Sequence, residues 1–362
     1  MRGKFLFEIN HPCHAHLFKH TIQYLKDQGH RVDVLAKPGK ITENILSASG
    51  IAYIPQKPKA KGLAGKILKQ FIYTSQAIRL QIKHQYRLGI GVSVTLPAAA
   101  VFSGLNTLVL DDDDKKATPL FAAIAHRFSE ALLRPSCLAF EGVKAGTIYH
   151  HALHELAYLH PDVFTPDPRI LQKQGLAPGE PFFIIRLSAL EAHHDTGKKG
   201  IDNSMMHQLM AVLSSHGRVI VTSEKQGRGY ETEALKIEPY EIHHLMAYAR
   251  MVVSDGQTMC SEAACLGVPS VRINDFAGKI SYLKELELTW GLTFAFRPEA
   301  FQQSLEKITE ILSTPAQIFR ERQQRLIDNK INFSSFLSWF IENYPESKRI
   351  MKENPEYQYR FK

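Results

Sequence analysis

The sequence predicts an α/β protein built as two Rossmann-like doubly wound domains facing a central cleft. Three observations predict it. Short apolar runs alternate with helical patterns along the chain. Its 362 residues exceed what one hydrophobic core usually organises. The composition also changes once, near the middle, where Pro161, Pro166, Pro168, Pro178 and Pro181 fall close together.

Taken in order, residues 4–9 read as a strand, and 17–28 as a helix stopped at Gly29, a residue free to turn left-handed. Residues 31–35 are the next strand, so the chain opens with a βαβ unit. The pattern recurs at 89–94 and 107–110. The Pro-rich stretch 166–181 reads as a stiff hinge. Alternation then restarts, with strands at 182–186, 218–222, 251–254 and 269–273 and helices at 203–215, 240–248 and 258–266. Past Pro298 the chain turns helical, and from Pro345 it reads as a polar, loosely held tail. The expected division is 1–165, hinge 166–181, 182–330, and a C-terminal helix and tail at 331–362.

Hydrophobic content of 44% and charged content of 22% are those of a soluble globular protein. The four cysteines form no CxxC pair and no zinc spacing, which suits reduced thiols in a cytosol. The first residues hold too short an apolar run for a signal peptide. Residues 88–110 carry no charge over a span long enough to cross a bilayer, yet Gly89, Gly91, Pro97, Gly104 and Asn106 break the run. It parses instead as strand, helix and strand buried in one sheet. The expected location is cytoplasmic, with peripheral contact at the inner face of the membrane as an option.

That option comes from an uneven net charge of +8. No Asp or Glu occurs between Asn44 and Leu110, whereas Lys57, Lys59, Lys61, Lys66, Lys69, Arg79, Lys83 and Arg87 do. They interleave with Leu63, Ile67, Leu68, Phe71, Ile78 and Ile82. Residues 57–87 are therefore either a solvated helix face or a patch for anionic lipid or a polyanionic acceptor. Nucleic acid is set aside, because no nucleic-acid motif accompanies the charge.

Dinucleotide and P-loop fingerprints are missing: Gly89 and Gly91 lack the third glycine of GxGxxG, and no GxxxxGK[ST] occurs. Another phosphate device is present. After the strand at 251–254 come Gly256, Gln257, Thr258 and Met259, whose N–H groups would stand at a helix start where the dipole favours an anion. Glu262 lies one turn deeper on the face of Thr258, where a carboxylate suits ribose hydroxyls. The alternative is an ordinary strand–turn–helix. In the second domain Arg186, Ser188, Asp195 and Lys198 follow the first strand, and cations there would neutralise a diphosphate.

In the first domain the loop after strand one holds Asn10, His11, His14 and His16. His14 is the candidate general base, against a plain helix-capping role. HxH raises metal ligation, but no third ligand of matching spacing is evident, so no metal and no cofactor is expected. Among Asp111, Asp112, Asp113 and Asp114, which read mainly as a solvated turn, Asp111 is the one expected to face substrate. His150, His151, His243 and His244 read as surface or packing residues.

The run SDGQTMCSEAACLGVP at 254–269 resembles the C-domain motif of GT-B glycosyltransferases and of the UDP-N-acetylglucosamine 2-epimerase group. With HPCHAHLFKHTIQYLKDQGHRV, HELAYLHPDVFTPD and RLSALEAHHDTGKKGI, it is similar to the uncharacterised family DUF354 over residues 5–336. The resemblance implies a GT-B-like enzyme that transfers a sugar from a nucleotide-sugar donor to a polysaccharide or glycolipid acceptor. Glu262 would meet the ribose, with Gly256, Gln257 and Thr258 near the diphosphate. His14 falls where the lipid-II-forming N-acetylglucosaminyltransferase carries its first-loop His. The GTRPE-like opening of the epimerases is absent, which argues against epimerisation. The alternatives are a nucleotide-sugar 2-epimerase or hydrolase, and a non-catalytic nucleotide-sugar-binding module.

Overall fold

The computed structural model describes residues 2–58, 62–142, 146–188, 200–223 and 235–362. The chain divides into two compact units. One comprises Met1–Val163 with Lys330–Lys362, the other Phe164–Asn329.

Unit 1 is built on seven parallel strands: β1 (Lys4–Ile9), β2 (Arg31–Ala36), β3 (Ile54–Pro55), β4 (Leu88–Gly91), β5 (Thr107–Leu110), β6 (Ala131–Pro135) and β7 (Thr147–His150). Their order is β3-β2-β1-β4-β5-β6-β7. The order reverses at β1, so the loops after β1 and β4 leave the sheet on either side of its switch point. The uncharged run 88–110 supplies β4, the helix Thr95–Ser103 and β5. Its strands are buried along their length, as a sheet covered on both faces requires.

Unit 2 carries β8 (Phe182–Leu187), β9 (Arg218–Ser223), β10 (Met251–Ser254), β11 (Ser270–Ile273) and β12 (Thr293–Phe296), again all parallel. The order is β12-β11-β10-β8-β9, so β8 and β10 are neighbours at the reversal. A core of Phe182, Ile184, Ile220, Leu245, Val252 and Ala263 fills one side.

Three expectations change. The first helix runs Pro12–Asp27, so His14 and His16 lie in its opening turns and not in a loop. Pro12 is the cause: with His11 at the cap, it occupies a position where its fixed φ and missing N–H suit a helix start. The stretch 166–181 belongs to unit 2 and is no free connector. It forms the helix Arg169–Gln174, buries Ile170 and Leu176 in the core, and ties Gln174 to the backbone N–H of Lys236 at 3.0 Å.

The tail from Pro345 is held. Helix Glu346–Glu353 buries Ser347 and Met351, and Gln358 accepts from His151 N–H at 2.7 Å. Tyr357 and Phe361 close on Trp339 at 4.9 and 5.3 Å. Helix Phe333–Glu342 packs on Pro12–Asp27 within unit 1, and Tyr24 donates to Glu342 at 2.8 Å.

Gly217 opens β9 against the end of the stretch before β8. A Cβ there would lie 2.3 Å from the Pro181 carbonyl oxygen, which also accepts from Arg218 N–H at 3.0 Å. Gly217→Ala is expected to destabilise the protein by about 2 kcal/mol through overpacking. A urea midpoint equal to the wild type's would count against this packing.

Candidate functional site

In unit 2 the carboxyl ends of β8 and β10 are laced together. Ser254 is in register with Arg186, and its hydroxyl donates to the Arg186 carbonyl at 3.0 Å. The Ser188 N–H donates to Asp255 Oδ1 at 2.6 Å, and Asn274 Nδ2 donates to the Asp255 carbonyl at 2.7 Å. Gly200 closes on the same carboxylate, where a Cβ would sit 2.7 Å from Oδ2. Arg186, Ser188 and the turn to Gly256, distant in sequence, thus share one edge.

Helix Thr258–Cys265 starts there with no side-chain cap on its first turn. Its leading N–H groups stand at the end of the helix dipole that favours an anion. Gly256 does not have a positive φ, and a Cβ on it would meet only ordinary contacts, at 3.5 Å from Ser254 and 3.7 Å from Ser188. Backbone strain therefore does not explain this glycine. Ser188 Oγ is buried with no hydrogen-bond partner. Arg186 Nη1 donates to Thr222 on β9 at 3.3 Å.

Glu262 is nearly buried one turn into the helix, and His243 Nε2 lies 3.0 Å from its Oε1. His243 comes from the short helix Ile242–Met246, with Phe164 edge-on to its ring. Behind the helix, Arg272 on β11 is buried with Nε and Nη1 unpartnered. Met259 packs against the core of the unit, so its side chain is occupied while its N–H stays at the helix start. The calls on Asp195 and Lys198 lie outside the described residues.

In unit 1 the edge after β1 is polar and tightly wired. Glu8, fully buried, accepts from Asn10 Nδ2 at 3.0 Å and from the Ser93 hydroxyl, which brings the loops after β1 and β4 together. Asn10 Oδ1 is buried without a partner. His11 caps the first helix through Cys13 N–H. His16 stacks on Tyr158 at 5.2 Å.

His14 Nδ1 accepts the Asn10 N–H at 3.4 Å, which leaves the ring proton on Nε2. Burial, reinforced by the neighbouring His11, pulls its pKa down to about 3. The ring is therefore neutral near pH 7 and presents a donor rather than a base.

Asp111, expected to face substrate, is turned into the fold. It meets His126 Nε2 at 2.6 Å and Arg134 Nε at 3.2 Å, and its Oδ1 accepts from Asp113 N–H. The fully buried Arg134 also holds Glu141 at 2.7 Å. The cause is Arg134 itself, which cannot be buried without carboxylates.

Asp112 points elsewhere and meets His154 Nδ1 at 3.2 Å. Burial works against both charges, but their mutual attraction and hydrogen bond prevail: Asp112 sits below the usual carboxylate range and His154 above the usual imidazole range. His154 stacks on Phe333 and His150, and its Nε2 has no hydrogen-bond partner. Asp113 is pushed up to about 8 by burial and the adjacent carboxylates, so it keeps its proton at neutral pH. Among the described residues no group of three or more His, Cys, Asp and Glu could hold a metal ion.

Sequence reasoning missed His154, Asp112 and His243. HELAYLHPDVFTPD contains His154, and the Asp run contains Asp112, but only folding shows which Asp meets the ring.

Compared by sequence, the chain matches no protein-family model and no curated protein. Compared by structure, it is similar to the S. aureus MnaA–UDP co-structure, with TM-score 0.69 at 11% identity over 95% of this chain and 97% of that one. It is also similar to UDP-GlcNAc 2-epimerase from Neisseria meningitidis bound to UDP-GlcNAc, with TM-score 0.61 at 14% identity over 95% and 99%. The spinosyn forosaminyltransferase SpnP gives TM-score 0.62 at 13% identity over 96% and 100%. The chain has the two-domain α/β fold shared by GT-B glycosyltransferases and UDP-GlcNAc 2-epimerases.

Proposed function

We propose that the protein is a nucleotide-sugar-dependent glycosyltransferase acting on a polysaccharide or glycolipid acceptor. The observation that carries it is the lacing of β8 to β10, which brings Arg186 and Ser188 to the turn before the uncapped helix start at Thr258, with the Glu262 carboxylate one turn into that helix beside His243. A nucleoside diphosphate matches that edge. The N–H groups of Gln257, Thr258 and Met259 take a phosphate, Ser188 Oγ takes a phosphate oxygen, and Glu262 takes the ribose hydroxyls. His243 orients Glu262. Structural neighbours whose names carry UDP or glycosyl transfer support this reading.

In the transfer step the acceptor O–H gives its proton to His154 Nε2. The freed oxygen attacks the anomeric carbon, and the bond to the diphosphate breaks. Asp112 holds Nδ1–H and stabilises the imidazolium, the arrangement general bases use elsewhere. His14 Nε2–H and Asn10 Oδ1 orient the acceptor hydroxyl. Arg186, the helix start and Lys198 carry the departing negative charge, with Asp195 in support, and the reading invokes no metal.

The chemistry of the unit 1 edge favours one second reading. A dyad beside a protonated Asp113 holds an acid and a base together, as an epimerase or hydrolase acting on the nucleotide sugar requires. Incubation with nucleotide sugar and no acceptor separates the two. Unchanged donor supports transfer, and a new sugar or rapid release of free nucleotide supports the second.

Glu262→Ala is expected to weaken nucleotide-sugar binding about tenfold or more in calorimetry, the loss of charge-assisted hydrogen bonds. His243→Leu should weaken it less. Affinity unchanged by Glu262→Ala removes the ribose assignment.

The base assignment has a sign. His154 must be neutral to accept a proton, so activity rises with pH through a pKa above the ordinary 6.5. Asp112→Asn removes the charge that raises that pKa, and the acidic limb moves to lower pH. His154→Gln should lower kcat about a hundredfold or more. A pH profile unmoved by Asp112→Asn would exclude the dyad as base.

A further inference from the structure

The helix Leu63–His84 in unit 1 shows apolar side chains on the side where a surface helix is normally polar. Its inner side buries Tyr73, Ala77 and Gln81, with Ala77 packed among Leu96 and Ala99 of the helix Thr95–Ser103. Its outer side carries Ile67, Leu68, Phe71 and Ile82, which are 51%, 62%, 68% and 64% exposed. These positions recur at helical spacing on one stripe. Phe102 and Val101, on the helix beside it, are 76% and 53% exposed. Scattered exposed apolar residues mean little, but this many large ones on adjoining helices mark a contact surface.

Charge identifies the partner. Arg79 and Lys83 are exposed, Lys69 and Lys66 stand toward the start of the helix, and no Asp or Glu occurs between Asn44 and Leu110. A two-fold contact with a second copy would set these cations against their own images. A nucleic acid would satisfy the charges but leave Ile67, Leu68 and Ile82 against phosphate. Among the described residues no helix is long and apolar enough to cross a membrane. The remaining surface with both an anionic layer and an apolar layer is a bilayer interface.

We propose that Leu63–His84 lies flat on an anionic lipid surface. Ile67, Leu68, Phe71 and Ile82 enter the acyl boundary, and Lys69, Arg79 and Lys83 meet the lipid phosphates. A helix of this length would track about 30 Å of membrane. The inference uses none of the residues assigned to nucleotide or base, so it stands apart from the proposed enzymatic reading, though it fits a lipid-linked acceptor.

Cosedimentation with phosphatidylcholine vesicles, with and without phosphatidylglycerol, tests it on the full-length protein. Wild type should bind the anionic vesicles, release them as salt is raised, and bind the neutral ones weakly. The triple variant Leu68→Ser, Phe71→Ser, Ile82→Ser should bind about a hundredfold more weakly, with melting temperature and nucleotide-sugar binding unchanged. Arg79→Glu with Lys83→Glu should remove the preference for anionic lipid. Undiminished binding by the triple variant would overturn the proposal. So would wild type that ignores vesicles while forming a dimer that the triple variant dissolves.

Discussion

Parallel pairing of β8 with β10 is the constraint on which the unit 2 site depends. A strand order that reverses between them leaves two loops pointing out of the same edge with no strand to separate them. Asp255 then locks the two loops: its carboxylate holds the Ser188 N–H, and its carbonyl holds Asn274. The floor beneath the helix start is therefore rigid. Rigidity matters here because a phosphate gains from backbone N–H groups only if they already point at it. Gly200 packs on the same lock, since a Cβ there would lie 2.7 Å from Asp255 Oδ2.

Unit 1 spends its charges differently. Arg134 is buried at the end of β6 and draws Asp111 and Glu141 inward, with His126 completing the group. That network leaves Asp112, next in sequence, facing another direction and available to His154. Burial keeps Asp113 protonated, and the adjacent Asp112 and Asp111 add to it, since a further negative charge beside them is unfavourable. Histidine roles are sorted by environment as well. His14 is held neutral by burial, whereas His154 is held basic by a carboxylate, although both lie near one edge of the sheet.

Much of the fold was legible because it is written in local pattern. Gly29 ends the first helix, the apolar runs become the strands, and the helix expected at 258–266 forms as Thr258–Cys265. Pro12 misled because proline reads as a loop until its place after a capping His11 is seen. The tail misled because its average polarity hides Met351, which is buried, and Tyr357 and Phe361, which close on Trp339. Of the candidate site, motif and spacing single out Glu262 and Arg186 as candidates, and their part in binding belongs to the proposal. His243 and the His154–Asp112 pair are not singled out in this way, since each partner lies in a different element and only strand order brings them together. The stretch 166–181 was misread because five prolines suggest stiffness, while Ile170 and Leu176 decide where it packs.

Under the proposed reading, the chemistry of each edge taken by itself fits transfer better than rearrangement. Transfer needs a cradle for a leaving diphosphate and a base for a hydroxyl, but no acid on the donor sugar. Among its described residues, unit 2 presents helix N–H groups, Arg186 and the carboxylate of Glu262 beside His243, with Asp255 spent on the backbone of Ser188. Unit 1 presents the basic imidazole of His154 and the donor ring of His14. Asp113 is protonated there against its usual habit, held so by burial first and by the adjacent carboxylates after it. An epimerase that used Asp113 as its acid would have to leave a buried negative charge beside Asp111 and Asp112 each time the proton left. A transferase leaves Asp113 undisturbed and asks only that His154 take a proton it is already disposed to bind.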